Sequence, residues 1–161
     1  MYKRTFVCLM VMAVVAGLRV EGVYAQGSPK VMDAVNQLKQ ETSALGAARA
    51  EGGVLYFGST KINDDFTIVD KIKTSKGCTA TLFVKQGDNF TRISTNVMAE
   101  GKRAVGTCLD VRGGAYKAIA KGQAFYGVVD VVGTKMDTAY EPIKDGQGNV
   151  IGIYYVGFPV Q

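Results

Sequence analysis

The sequence predicts an α+β layer fold in which helices cover one side of an antiparallel sheet. Three observations predict it. Apolar residues recur at spacings of four and three over residues 29–50. β-Branched and aromatic residues fill two later stretches, 78–97 and 124–158. Short turns interrupt those stretches, and strands joined by short turns lie antiparallel to one another. A chain of 161 residues is long enough for one domain with a real core.

Residues 1–25 read as a secretory signal peptide. Lys3 and Arg4 supply the basic start, Thr5 to Leu18 carry no charge, and Val23-Tyr24-Ala25 ends on a small residue. The uncharged run is shorter than the roughly 20 residues that span a bilayer. The expected cut lies between Ala25 and Gln26, with residues 26–161 as the mature domain, periplasmic or secreted. Arg19 and Glu21 sit close to that cut and leave an uncleaved N-terminal anchor as the alternative.

Ser28-Pro29 opens a helix, with an N-cap followed by proline at the first helical position. Val31, Val35, Leu38, Thr42 and Leu45 form its apolar stripe, and Gly52-Gly53 is expected to end it near residue 50. Asp64 or Asp65 caps a second, shorter helix with Val69 and Ile72 inward and Gly77 as its stop. "CTATLFVKQ" and "FTRISTNV" are two strands around the turn "GDN". "MAEGKRAVGT" reads as a loop. Asp110 caps a third helix with Val111, Ala115, Ala118 and Ile119 inward and Gly122 at its end. The last forty residues form a three-stranded meander, turning at Gly133-Thr134 and at "KDGQGN".

Composition excludes several chemistries. The chain has no histidine, which removes Ser/His/Asp and Cys/His catalysis and histidine-held zinc or haem. Asp64, Asp65 and Asp70 stand at a helix start and read as capping and dipole residues instead of a catalytic pair. No enzyme activity, metal or other cofactor is expected. Lys and Arg number 19 against 14 acidic residues, but no run of five basic residues occurs, so no nucleic-acid partner is expected. In an oxidising compartment Cys78 and Cys108 are expected to pair as a disulfide; the alternative is two buried thiols that never meet.

Strand periodicity nominates a binding site. Counted in twos, Arg92, Ser94 and Asn96 share one face of their strand, opposite Thr91, Ile93 and Thr95. A guanidinium followed by a hydroxyl and an amide is a carboxylate cradle. The same pattern also suits a solvated polar face on a half-buried strand. Met136, Thr138 and Tyr140 share a face of a later strand, where the two hydroxyls stand beside apolar surface; Tyr126 is a further candidate for the same cavity. Ordinary cross-strand packing is the alternative for these residues.

The strings "TRISTNV", "RAVGT" and "TAYEPIKDGQGNVIG", in that order within residues 31–158, resemble the single Cache domain, the extracytoplasmic ligand-sensing module of methyl-accepting chemotaxis receptors and sensor kinases. The resemblance implies a PAS-like antiparallel five-stranded sheet with a long N-terminal helix along one side. It also implies a small-molecule pocket between sheet and covering loops, running along the strand of Arg92. Receptors of this kind continue into a second membrane helix and a cytoplasmic region, and this sequence stops at Gln161. The expected function is therefore an exported binding module for a small carboxylate or other small anion, linked to chemotaxis or signal transduction through a separate partner. The alternative is an interaction module that forms a homodimer through its long helix or docks on a membrane receptor.

Overall fold

The computed structural model describes residues 27–160; the expected signal peptide lies outside the described residues. In chain order the elements are α1 (Pro29–Ser43), β1 (Ala48–Glu51), β2 (Val54–Phe57), β3 (Thr60–Lys61), α2 (Thr67–Lys76), β4 (Thr79–Gln86) and β5 (Asn89–Thr95). They continue with β6 (Met98–Ala99), β7 (Lys102–Arg103), α3 (Gly114–Ala120), β8 (Phe125–Val131), β9 (Thr134–Lys144) and β10 (Val150–Pro159). Five strands build the main sheet in the order β5-β4-β10-β9-β8, every neighbouring pair antiparallel. This is the PAS-like sheet that the resemblance implies, with α1 along one face.

The sheet is covered on both faces, so its strands are apolar on both sides. On the helix face, Val31, Val35 and Leu38 of α1 and Val69 and Ile72 of α2 pack on Leu82, Val84, Ala139 and Val156. On the opposite face, α3 and the segment after β5 pack on Phe83, Tyr140, Ile153 and Tyr155. The stripe of α1 is thus spent on its own sheet. Within α1 the stripe residues Val31, Val35, Leu38 and Thr42 are buried, so a homodimer, one of the expected partner modes, would need other surface.

Helix α1 is shorter than the periodicity suggests. It ends at Ser43, and Leu45, the last residue of the stripe, is exposed. Gly46 takes φ +126°, a conformation left to glycine, and passes so close to Gly58 that a Cβ would come within 2.7 Å of its Cα. The chain then turns back as the β1–β2 hairpin, and Gly52-Gly53 is its two-residue turn instead of a helix stop. Asp65, not Asp64, serves α2: its carboxylate accepts the Thr67 N–H at 3.0 Å. Gly77 closes that helix in the left-handed region, as expected. Helix α3 begins at Gly114, not at Asp110, whose carboxylate instead accepts the Arg112 N–H in the turn before it. Val111, expected inward, is consequently exposed.

The cysteines are free, which corrects the expected disulfide. Cys78 is buried in the helix-face core just before β4, whereas Cys108 is exposed and bridges Thr91, which pairs with Val84 near the far end of β4. Six residues of extended chain separate Cys78 from Val84, about 20 Å at the usual rise per residue. A disulfide requires Cα atoms within roughly 7 Å.

Candidate functional site

The register of β5 decides which side chains reach the site. Leu82 pairs with Ser94, and the next residue, Phe83, pairs with Arg92, so β5 carries one residue more than its partner at this point. Such a bulge reverses the alternation of faces beyond it. Arg92 therefore stands on the face of Phe83, while Ser94 follows Leu82 to the helix face. The Ser94 hydroxyl donates to the Asp65 carbonyl at 2.5 Å. Asn96 accepts from the Ala80 N–H at 2.8 Å and donates to the Val69 carbonyl of α2 at 2.6 Å. The three-residue cradle read from strict periodicity is thus corrected: Ser94 and Asn96 fasten α2 to the sheet, and Arg92 alone turns the other way.

On that other side lies a cavity of about 510 Å³. Arg92 and Tyr140 form part of its lining, with Leu109, Ala115, Val129 and Val131 as apolar walls. Thr107, Cys108 and Leu109 roof it, in the segment 104–109 that returns along the free edge of β5. There the Arg92 N–H donates to the Thr107 carbonyl and the Gly106 N–H to the Arg92 carbonyl. The Thr107 side chain faces Arg92, and Cys108, the next residue, faces the other way toward Thr91, with Sγ 3.7 Å from its hydroxyl.

Arg92 is only 8% exposed. Its Nη1 donates to Thr107 Oγ1 at 2.7 Å, and its guanidinium lies 5.0 Å from the centre of the Phe83 ring. Its Nε is the one buried side-chain nitrogen or oxygen without a partner among the described residues. No carboxylate pairs with it among the described residues. Burial accordingly pulls its pKa below the usual arginine value, against weaker opposing contributions from Tyr140 and Tyr155. The Tyr140 ring packs against Tyr155 at 4.9 Å and edge-on to Phe125 at 6.2 Å. Burial pushes the Tyr140 hydroxyl well above its ordinary pKa, so it stays protonated and can donate.

The other expected site residues separate. Thr138 shares the face of Met136 and Tyr140 as predicted, but its hydroxyl is spent on the Gly127 carbonyl at 2.7 Å. Tyr126 is on the opposite face, because it pairs with Ala139 and not with Tyr140. Its hydroxyl donates to Glu141 at 2.9 Å, and Lys39 of α1 holds the other oxygen of that carboxylate at 2.6 Å. Arg103 of the loop before residue 104 does not line the cavity: it forms a two-pronged pair with Asp70 at 2.8 Å and stacks on Phe66. Periodicity did not single out Phe83, Thr107 or the valines of β8; the only sign of Thr107 in the sequence was its place at the end of "RAVGT".

No curated protein matches the chain in sequence. Among solved structures, the E. coli DcuS sensor domain is similar, with 14% sequence identity and a TM-score of 0.46 over 83% of this chain and 78% of that one. The sequence matches the Cache 3/Cache 2 fusion domain over residues 13–161, nearly its whole length. The chain therefore belongs to the Cache family of extracytoplasmic small-molecule sensing modules, as the Cache 3/Cache 2 fusion type.

Proposed function

We propose that this Cache domain binds a small carboxylate in the cavity beneath residues 107–109, with Arg92 as the receptor of the carboxylate and the Tyr140 hydroxyl as a second donor. The observation that carries the reading is the buried guanidinium with a free Nε and no acidic partner among the described residues. Taking an unpaired cation out of water costs several kcal/mol in general, and an anion at the same place recovers much of that cost. A guanidinium offers two parallel N–H groups to a carboxylate, which a single oxygen acceptor cannot use. A cavity of about 510 Å³ lies within the ordinary range for small-ligand sites.

The domain acts as a binding module, delivered to the periplasm or secreted after removal of residues 1–25, and reports occupancy to a separate signalling partner. Calorimetric titration with a panel of short carboxylates and their uncharged amides tests the reading. Heat of binding for at least one acid, none for its amide, and loss of the acid's signal in Arg92→Met are the expected results. Equal binding of acid and amide would remove the role assigned to Arg92.

A further inference from the structure

The cavity holds more information than the presence of a cation. Three charged residues line it: Arg92 in its depth, and Asp110 and Asp130 where it opens. Both aspartates are exposed and engaged in turns. Asp110 accepts from the Arg112 N–H and Nε, which hold its carboxyl below the usual range. Asp130 accepts the Gly133 N–H at 2.8 Å. The remaining wall is largely hydrocarbon, from Leu109, Ala115, Val129 and Val131. One carboxylate entering head-first neutralises Arg92. A second carboxylate on the same molecule meets either that hydrocarbon or the two aspartates, of which Asp110 is paired with the exposed Arg112 and Asp130 has no ion pair among the described residues, and it finds no second cation in the lining.

We propose that the site selects a monocarboxylate with an apolar body of several carbons and rejects dicarboxylates. This inference rests on the carboxylate reading above and adds the charge count and the apolar walls. Length matters because a two-carbon acid leaves most of the cavity unfilled, whereas each further methylene covers wall surface. Burial of a methylene is worth up to about 0.8 kcal/mol, a gain of roughly two- to fourfold in affinity per carbon.

The test is a titration of the full chain with acetate, butyrate, hexanoate, hexanamide and adipate. Adipate has the six carbons of hexanoate and one extra carboxylate. Affinity is expected to rise from acetate to hexanoate and to fall for adipate by roughly tenfold or more, the scale of one unpaired charge-assisted contact. The substitution Asp110→Lys, at an exposed turn, is expected to narrow the gap between hexanoate and adipate several-fold. Adipate binding as tightly as hexanoate, acetate matching hexanoate, or a gap unmoved by Asp110→Lys would each overturn the inference. If hexanamide binds as well as hexanoate, the carboxylate reading itself fails. If adipate wins and Arg92→Met abolishes its binding, that reading stands and only the selectivity is wrong.

Discussion

Replacing Arg92 by methionine separates a ligand receptor from a structural strut. Methionine keeps much of the aliphatic volume over Phe83 and removes the charge. The substitution loses the Nη1 bond to Thr107, and a bond to a charged group is worth about 1.5–3 kcal/mol. It recovers the desolvation of a cation that has no acidic partner, several kcal/mol in general. Thr107 is not left unpaired, because its hydroxyl also donates to the Ala104 carbonyl at 2.8 Å. The two effects nearly cancel, so the unliganded variant is expected within about 2 kcal/mol of the parent, on the stable side if desolvation dominates. Ligand changes the comparison. At one hundred times its Kd a carboxylate adds about 2.7 kcal/mol to the parent. At roughly 2–4 °C per kcal/mol for a chain of this size, that is a rise of about 5–11 °C in Tm. The variant is expected to show no rise. Thermal unfolding of both proteins with and without ligand reads all four states. An unliganded variant weakened by more than about 3 kcal/mol would show that Arg92 holds the roof in place, and a variant that keeps the ligand-induced rise would refute the reasoning.

Three further outcomes follow from the same geometry. Burial pushes Tyr155 up to about 12, and burial with the Glu141 hydrogen bond does the same for Tyr126. Unfolded tyrosines ionise near pH 10, so the unfolded chain binds fewer protons above that value and stability falls between about pH 10 and 12, by roughly 1.4 kcal/mol per unit for the buried Tyr155 and by less for the more exposed Tyr126, where solvent screens the shift. Denaturant midpoints measured alongside tyrosinate absorbance check this, and a constant midpoint over that window would contradict it. Val132 adopts φ +52° in the two-residue turn with Gly133, a position costly for a β-branched side chain and natural for asparagine. Val132→Asn is expected to raise stability by about 1 kcal/mol and Tm by roughly 2–4 °C, and calorimetry showing no gain would count against the strain. In protein beginning at Gln26, a thiol reagent is expected to label Cys108 at once and Cys78 only on unfolding, since burial pushes the Cys78 thiol up to about 11. Mass analysis revealing an internal disulfide would contradict the separation of the two.

The layer arrangement was legible in the sequence because its signals are local. Pro29 after Ser28, the left-handed stop at Gly77 and the β-branched and aromatic run of β4 each require only neighbouring residues. The site was legible in one residue, Arg92, and misread around it. A bulge has no local signature in "TRISTN"; it arises from pairing with β4, fourteen residues away at Thr81–Thr95, and it sends Ser94 to the wrong face for a ligand. Tyr126 failed for a different reason, with no irregularity in its pairing. A two-residue turn pairs it with an odd-numbered residue of β9, Glu141 for a turn at Gly133-Thr134 and Ala139 for the observed turn at Val132-Gly133, and both lie on the face opposite Tyr140, so the strand pairing itself argued against it. The end of α1 was missed because the close pass of Gly46 and Gly58 joins residues far apart in the chain, whereas the two glycines at 52 and 53 looked like an ordinary stop.

The extra residue in β5 makes that strand answerable to two layers at once. Two peptide units after Arg92, Ser94 grips the chain leading into α2, and Asn96 grips α2 itself. Helix α2 in turn is tied to α1 by Lys76–Asp33 and Lys71–Glu41. A pull on the guanidinium therefore has a short mechanical route, through one strand and two ion pairs, to the helix on the far side of the sheet.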